Sequence, residues 1–170
     1  MALEDASHVI IADLLNSRTG QTLSESRRWR ISTALSGLFR ECGIENVDQL
    51  ACLLERPGEH QLATRVVEAL LNNETYFFRD HAYFTTLANV VLPELAKKRA
   101  SSRKLTIWSA GCSTGQEVLS LAMTFCEQPG RWADWNIEIL GTDVSGKAIE
   151  QARSGIYSQF EIQRGISVAQ

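Results

Sequence analysis

Residues 105–117, with the sequence LTIWSAGCSTGQE, decide the fold of this chain. Leu105 and Ile107 belong to a short apolar run that predicts a buried β-strand, and a helix is predicted directly after the loop. The loop begins at Gly111 and ends at Gly115. A Cβ at either position would block a close contact or the required backbone angle, so these glycines would let backbone N–H groups approach a ligand. We therefore predict a strand–loop–helix unit that binds a ligand at its loop.

A second strand is predicted at residues 137–141, and Thr142 and Asp143 follow it. In a doubly wound α/β sheet, an acidic side chain at the carboxyl end of the second strand holds the ribose hydroxyls of a nucleoside cofactor. Asp143 is therefore our candidate ribose ligand. The alternative is that Asp143 is only a turn residue before the helix that Ser145 is expected to cap.

The residues before this unit predict helices only. Residues 1–71 indicate a small bundle of four short helices, the second opening with a capping box at Thr22–Glu25 and the third capped by Asn46. Residues 72–103 indicate a linker rich in aromatic residues and connecting helices, the first of them capped by Asp80. Residues 104–170 then follow the order strand, helix, strand, helix. We predict an α/β protein with these three parts, and the two-stranded sheet indicates the first half of a larger domain.

Composition excludes several classes of protein. The net charge of −3 over 170 residues argues against a general nucleic-acid binder. No apolar run approaches the roughly 20 residues that span a bilayer, and the N-terminus lacks the apolar core of a signal peptide, so we expect no membrane insertion. The four cysteines are dispersed and only three histidines are present, which predicts neither a metal site nor a disulfide framework. These features indicate a cytoplasmic protein.

Two motifs carry a resemblance to a known family. Residues 73–79 read NETYFFR and residues 111–117 read GCSTGQE. Their combination behind a helical region closely resembles the CheR-type chemotaxis receptor methyltransferases, which carry an N-x-T-x-F-F-R linker, a G-C-S-T-G-[E/Q]-E loop and an acidic residue after the next strand. Asp143 fits that last position. The resemblance covers nearly the whole chain, but the C-terminal portion of the family is missing, so the sequence resembles a C-terminally truncated member.

The resemblance implies a reaction and a set of site residues. The implied activity is that of a protein-glutamate O-methyltransferase, which transfers a methyl group from S-adenosylmethionine (SAM) to glutamate side chains of chemotaxis receptors and leaves S-adenosylhomocysteine. It implies that Asn73, Thr75 and Arg79 contact the cofactor from the linker. Glu117 would hold its amino-acid end, and Asp143 its ribose. Arg79 would also act in catalysis, by lowering the repulsion between the incoming carboxylate and nearby acids.

Alternatives remain for both the residues and the function. The resemblance implies that Arg27, Arg28 and Arg30 meet acidic receptor helices, whereas such a cluster is otherwise a solvated helix face. A non-catalytic remnant that acts only as a receptor- or partner-binding helical module is one rival, because the predicted sheet is incomplete. A nicotinamide-dependent oxidoreductase is disfavoured, since the loop is not G-x-G-x-x-G and Asp143 lies further from Gly111 than the usual roughly 20 residues.

Overall fold

The structure is a computed structural model, and it describes residues 2–23 and 29–166 of the chain. These residues fall into two compact units that divide after Asn72. The first unit is helical, and the second combines helices with a small parallel sheet. In the described ranges no helix is both long enough and apolar enough to cross a membrane.

Helices make up the described part of the first unit. They are α1 (Ala2–Thr19), α2 (Trp29–Cys42), α3 (Val47–Leu54) and α4 (His60–Leu70). All four contribute to one apolar core, in which Ile11, Leu35, Leu50 and Val66 are fully buried. This burial follows the apolar stripes of the individual helices.

Two cap predictions in this unit have different outcomes. The side chain of Asn46 accepts a hydrogen bond from the N–H of Gln49 at 2.9 Å, so the predicted cap of α3 is confirmed. The capping box predicted at Thr22–Glu25 includes Ser24 and Glu25, which lie outside the described residues.

One long helical run opens the second unit after the linker. It consists of α5 (His81–Thr86), a π-helical turn (Leu87–Val91) and α6 (Leu92–Lys98). Asp80 stands at the N-cap position of this run, as predicted, but its side chain does not act as a cap. Asp80 has a left-handed backbone with φ of 60° and makes no side-chain cap hydrogen bond. The widened turn ends two residues before Pro93, whose missing N–H and bulky ring disfavour a regular helical turn there.

The α/β part of this unit begins with the first strand. Its elements are β1 (Lys104–Ala110), α7 (Gln116–Cys126), α8 (Pro129–Trp132), β2 (Asn136–Thr142), α9 (Gly146–Ser154) and α10 (Gln159–Gln163). Strands β1 and β2 are parallel and pair residue by residue from Lys104 with Asn136 to Ala110 with Thr142. The two predicted strands are therefore confirmed, and α8 and α10 are additions that the sequence reasoning did not predict.

The two faces of this sheet differ. Leu105, Ile107 and Ile139 contact buried residues of the surrounding helices, such as Phe125. On the opposite face, Trp108 and Leu140 lie side by side in the register, and 67% and 57% of their surfaces are exposed. Parallel sheets are ordinarily covered on both faces. Within the described part of the chain, only one face of this sheet is covered.

Gly115 is a position where both the backbone angle and the packing oppose an added side chain. Its φ is +94°, and a Cβ would lie 2.9 Å from the Cβ of Ala152 and 3.0 Å from the hydroxyl oxygen of Tyr157. Gly111 offers a matched control, because its φ is +78° but a Cβ there would meet nothing within 4 Å. Both alanine variants should lose about 1–2 kcal/mol to the backbone angle, and Gly115→Ala about 1–3 kcal/mol more to overpacking.

Urea unfolding followed by tryptophan fluorescence would measure this difference, since Trp108, Trp132 and Trp135 all lie in the second unit. Equal losses of unfolding free energy in the two variants would contradict the packing argument.

Candidate functional site

The glycine loop is tied to the carboxyl end of β2. The N–H groups of Gly111 and Cys112 both donate to the carbonyl of Thr142, at 2.8 and 2.9 Å. The N–H of Ser113 donates to Oδ2 of Asp143 at 2.8 Å, and that of Gly115 donates to the Cys112 carbonyl. The expectation that the loop offers its N–H groups to a ligand is therefore wrong for these four residues.

The two loop glycines serve different purposes. Gly111 is exposed and has open space where a Cβ would stand, so a ligand can approach its backbone closely. Gly115 is buried beneath Ala152 and Tyr157, so its lack of a side chain serves packing inside the protein.

Asp143 stands at the centre of the candidate site. Its Oδ1 accepts a hydrogen bond from the N–H of Ser145, and its Oδ2 accepts one from Ser113, both at 2.8 Å. Ser145 in turn caps α9, because its hydroxyl accepts from the N–H of Ala148 at 3.1 Å. Each carboxylate oxygen keeps a second lone pair, which leaves room for two hydroxyl donors. Asp143 thus organises the turn before α9, and it can still accept hydrogen bonds from two neighbouring hydroxyl groups of a ligand.

Asn73 connects the linker to this centre. Its carbonyl accepts a hydrogen bond from the Ser113 hydroxyl at 2.8 Å. Its side-chain amide donates to the Ser145 hydroxyl at 3.5 Å, the outer limit for such a bond. Asn73, Ser113, Asp143 and Ser145 therefore form one hydrogen-bonded group, which brings two of the predicted site residues together.

The other two predicted linker residues do not join this group. Thr75 is half-buried, and within the described ranges its hydroxyl has no hydrogen-bond partner. Arg79 is exposed and donates from Nη1 to the backbone carbonyl of Glu74 at 2.8 Å. Its guanidinium carbon lies 5.8 Å from the centre of the Tyr76 ring. The contacts of Arg79 thus lie within the linker itself.

Glu117 lies in the first turn of α7, on the side of β1. Its Oε1 accepts a hydrogen bond from the buried hydroxyl of Ser109 at 2.7 Å. Together with Thr106 and Trp108, it lines an open groove of about 300 Å³ beside β1. A carboxylate in the first helical turn is also favoured by the helix dipole, so the structural and the ligand-binding readings coexist.

Burial shapes the chemistry of the loop thiol. Desolvation, followed by the negative charges of Asp143 and Glu117, raises the pKa of the Cys112 thiol. The thiol is therefore un-ionised near neutral pH, which makes it a poor nucleophile. In the described part of the chain, moreover, no three His, Cys, Asp or Glu residues are grouped so that they could hold a metal ion.

The structure adds residues that the sequence reasoning missed. Ser109, Ser113 and Ser145 orient the two candidate carboxylates, and the hydroxyl of Tyr157 donates to the carbonyl of Thr114 at 2.7 Å. Ser113 lies inside the loop motif, and Ser145 was predicted as a helix cap. The sequence therefore singled out both residues, but not as hydrogen-bond donors to Asp143. The contact of Tyr157 with the loop had no local signal, because its partner lies 43 residues away.

Comparisons with known proteins assign the family. A family profile described as "CheR methyltransferase, SAM binding domain" matches residues 73–170. Among curated relatives, the chemotaxis protein methyltransferase of Vibrio parahaemolyticus is 32% identical over 98% of this chain and 60% of its own length. That of Borreliella burgdorferi is 34% identical over 84% of this chain and 52% of its own length.

The corresponding protein of Escherichia coli is 32% identical over 96% of this chain and 54% of its own length. The chain thus spans between 52% and 60% of the length of these relatives. The profile match covers more than half of the chain and includes both motifs, the glycine loop and Asp143. The chain therefore belongs to the CheR methyltransferase family.

Proposed function

We propose that this chain binds SAM and forms part of a methyltransferase that modifies glutamate side chains of chemotaxis receptors in the cytoplasm. The observation that carries the proposal is Asp143, held by two N–H donors at the carboxyl end of β2 beside an open Gly111. The names of the relatives, all chemotaxis protein methyltransferases, favour an enzyme over a helical module that only binds a partner.

We further propose that the second unit corresponds to the first half of a Rossmann-like SAM-dependent domain. Its strand–helix–strand order, with parallel β1 and β2 and one uncovered sheet face, supports this. In this proposal, residues 1–71 are a small helical bundle, residues 72–103 are a linker with connecting helices, and residues 104–170 are the partial cofactor domain.

The hydrogen-bonding groups of the site fit SAM better than a dinucleotide. Pyrophosphate is held by free backbone N–H groups at a glycine loop and helix N-terminus. Here the N–H groups of Gly111, Cys112, Ser113 and Gly115 already donate within the protein. The side chains beside the loop are instead the carboxylates of Asp143 and Glu117, which suit ribose hydroxyls and an ammonium group. A positively charged cofactor without phosphate meets these conditions, and NAD does not.

Assignments in this site follow from the chemistry of each group. Asp143 would accept hydrogen bonds from the ribose hydroxyls through its unused lone pairs, and Glu117 would bind the amino-acid ammonium group. Asn73 and Thr75 would contact the cofactor from the linker, where the Thr75 hydroxyl is still available.

When bound, SAM supplies a sulfonium methyl group: an O–CH3 bond to the glutamate forms as the S–CH3 bond breaks, which releases S-adenosylhomocysteine. The accepting glutamate is already ionised near neutral pH, so no general base is needed.

Arg79 is our candidate for handling the charge of the incoming carboxylate. A guanidinium carries five N–H donors, and one nitrogen of Arg79 donates to the Glu74 carbonyl, which leaves donors for a second anion. A fixed positive charge here would lower the repulsion between the substrate carboxylate and the acids of the site.

The basic segment with Arg27, Arg28 and Arg30 is our candidate surface for acidic receptor helices. Three positive charges within four residues would be complementary to such helices. Arg27 and Arg28 lie outside the described residues, and Arg30 lies in the first turn of α2.

Asp143→Asn should weaken the binding of S-adenosylhomocysteine at least tenfold, because hydrogen bonds to a charged acceptor are worth about 1.5–3 kcal/mol each. Calorimetric titration would measure the affinity, and NAD would serve as a ligand that should not bind. Asp134→Asn is the matched control, since Asp134 is an exposed aspartate that pairs with Arg103. Wild-type affinity in Asp143→Asn, with its circular dichroism unchanged, would refute the assignment.

Arg79→Ala should lower methyl transfer to receptor fragments about tenfold or more at saturating SAM. This is less than the roughly 10²–10³-fold that one buried electrostatic donor removes, because Arg79 is exposed. Arg79→Lys should retain much of the activity, because it keeps the positive charge. Transfer of a radiolabelled methyl group would measure both variants. Unchanged turnover in Arg79→Ala would rule out the catalytic role.

A further inference from the structure

Residues 157–166, which we call the strap, contact both segments that form the candidate site. These segments are the linker, residues 73–79, and the glycine loop, residues 111–115. The strap contains α10, whose N-terminus is fixed by a capping box between Ser158 and Glu161. None of the roles assigned above requires the strap, so its contacts call for a separate explanation.

The first end of the strap holds the loop. The Tyr157 hydroxyl donates to the carbonyl of Thr114 at 2.7 Å. Its oxygen lies 3.0 Å from the point where a Cβ of Gly115 would stand. The Tyr157 ring also packs edge-on against Phe77 of the linker, with 5.1 Å between ring centres. One side chain thus contacts both segments of the site.

The other end of the strap holds the linker through charge. Nη2 of Arg164 donates to Oε1 of Glu74 at 2.6 Å. The same guanidinium lies over the Tyr76 ring, 4.5 Å from its centre, as in a cation–π contact. The neighbouring Gly165 approaches the backbone so closely that a Cβ would lie 1.9 Å from the Phe77 carbonyl oxygen. Only glycine allows the strap to reach the linker at this point.

The linker needs such support because its backbone is strained. Phe78 has a positive φ of 50°, which a bulky residue rarely adopts. Conformations of this kind persist only where the surrounding structure determines them. Ser120 fixes one point by accepting a hydrogen bond from the N–H of Phe78 at 2.9 Å. Phe78 also packs edge-on against Phe84. The strap adds its own contacts with the linker.

We propose that the strap is a positioning element of the cofactor site, with Tyr157 and Arg164 as its positioning residues. Tyr157 fixes the glycine loop and Arg164 fixes the linker, so that Asn73 keeps its place in the hydrogen-bonded group around Asp143 and Thr75 keeps its place in the linker. The inference rests on the proposed function, since it treats these segments as the cofactor site. Neither Tyr157 nor Arg164 needs to touch the cofactor.

Hydrogen exchange of the ligand-free chain tests the mechanical part of this proposal. Arg164→Ala should speed amide exchange in residues 74–79, and Tyr157→Phe should speed it in residues 112–115, while exchange in β1 and β2 stays unchanged. Gly165→Ala, which pushes the strap away from the linker, should reproduce the effect of Arg164→Ala. The matched control is Arg153→Ala, which removes the same charge from an exposed position of α9.

Titration with S-adenosylhomocysteine tests the link to the cofactor. Arg164→Ala and Tyr157→Phe should each raise the Kd about fivefold, which corresponds to the net effect of one typical hydrogen bond. Arg164→Lys should restore most of the affinity, because a lysine can still pair with Glu74 and lie over Tyr76. Rescue by lysine separates positioning by charge from a general loss of packing.

The outcomes are distinct. Faster exchange with wild-type affinity would make the strap a structural feature only and overturn its role in positioning. Unchanged exchange and unchanged affinity would overturn the proposal entirely. A wild-type chain that does not bind S-adenosylhomocysteine would overturn the proposed function and, with it, the cofactor role of the strap. The exchange rates would then decide whether the strap orders the linker.

Discussion

The parallel register of β1 and β2 is the constraint on which the site depends. Ala110 pairs with Thr142, so the residues that follow the two strands emerge side by side. The Thr142 carbonyl then accepts two N–H groups of the loop, and the next residue, Asp143, accepts a third. A slip of one residue would turn Asp143 to the other face of the sheet and remove these bonds together.

Three serines fix the positions of the two candidate carboxylates within this register. The backbone N–H groups of Ser113 and Ser145 donate to Asp143, and the Ser109 hydroxyl donates to Glu117. The Ser113 hydroxyl donates to the Asn73 carbonyl, and the Ser145 hydroxyl caps α9. Backbone N–H groups and the short serine side chain have little conformational freedom, so each bond fixes its partner closely. The two carboxylates are thereby oriented before any ligand arrives, which reduces the ordering that binding requires.

Local sequence signals predicted much of this arrangement. The apolar strands, the caps at Asn46 and Ser145, and an acid at the end of β2 are all encoded within a few residues of where they act. The start of α10 was also encoded, as the capping-box pair Ser158 and Glu161, although the prediction overlooked it.

Features that depend on distant contacts could not be predicted in this way. The loop N–H groups are occupied because a residue of the other strand accepts them, which follows only from the register. Asp80 has a side chain that is typical of helix caps, but its backbone is left-handed. No local sequence pattern reveals that backbone angle. Arg164 pairs with a residue 90 positions away, and sequence periodicity carries no information about such a pair.

The uncovered sheet face gives the molecule an optical property. The Trp108 indole lies in water on that face, and its N–H donates to the Thr142 hydroxyl at 2.9 Å, whereas Trp132 is buried in the core. Indole emission shifts to shorter wavelength when the ring leaves water. Trp108 is therefore an intrinsic spectroscopic reporter at the strand end where the site forms, and its emission distinguishes a wet sheet face from a covered one.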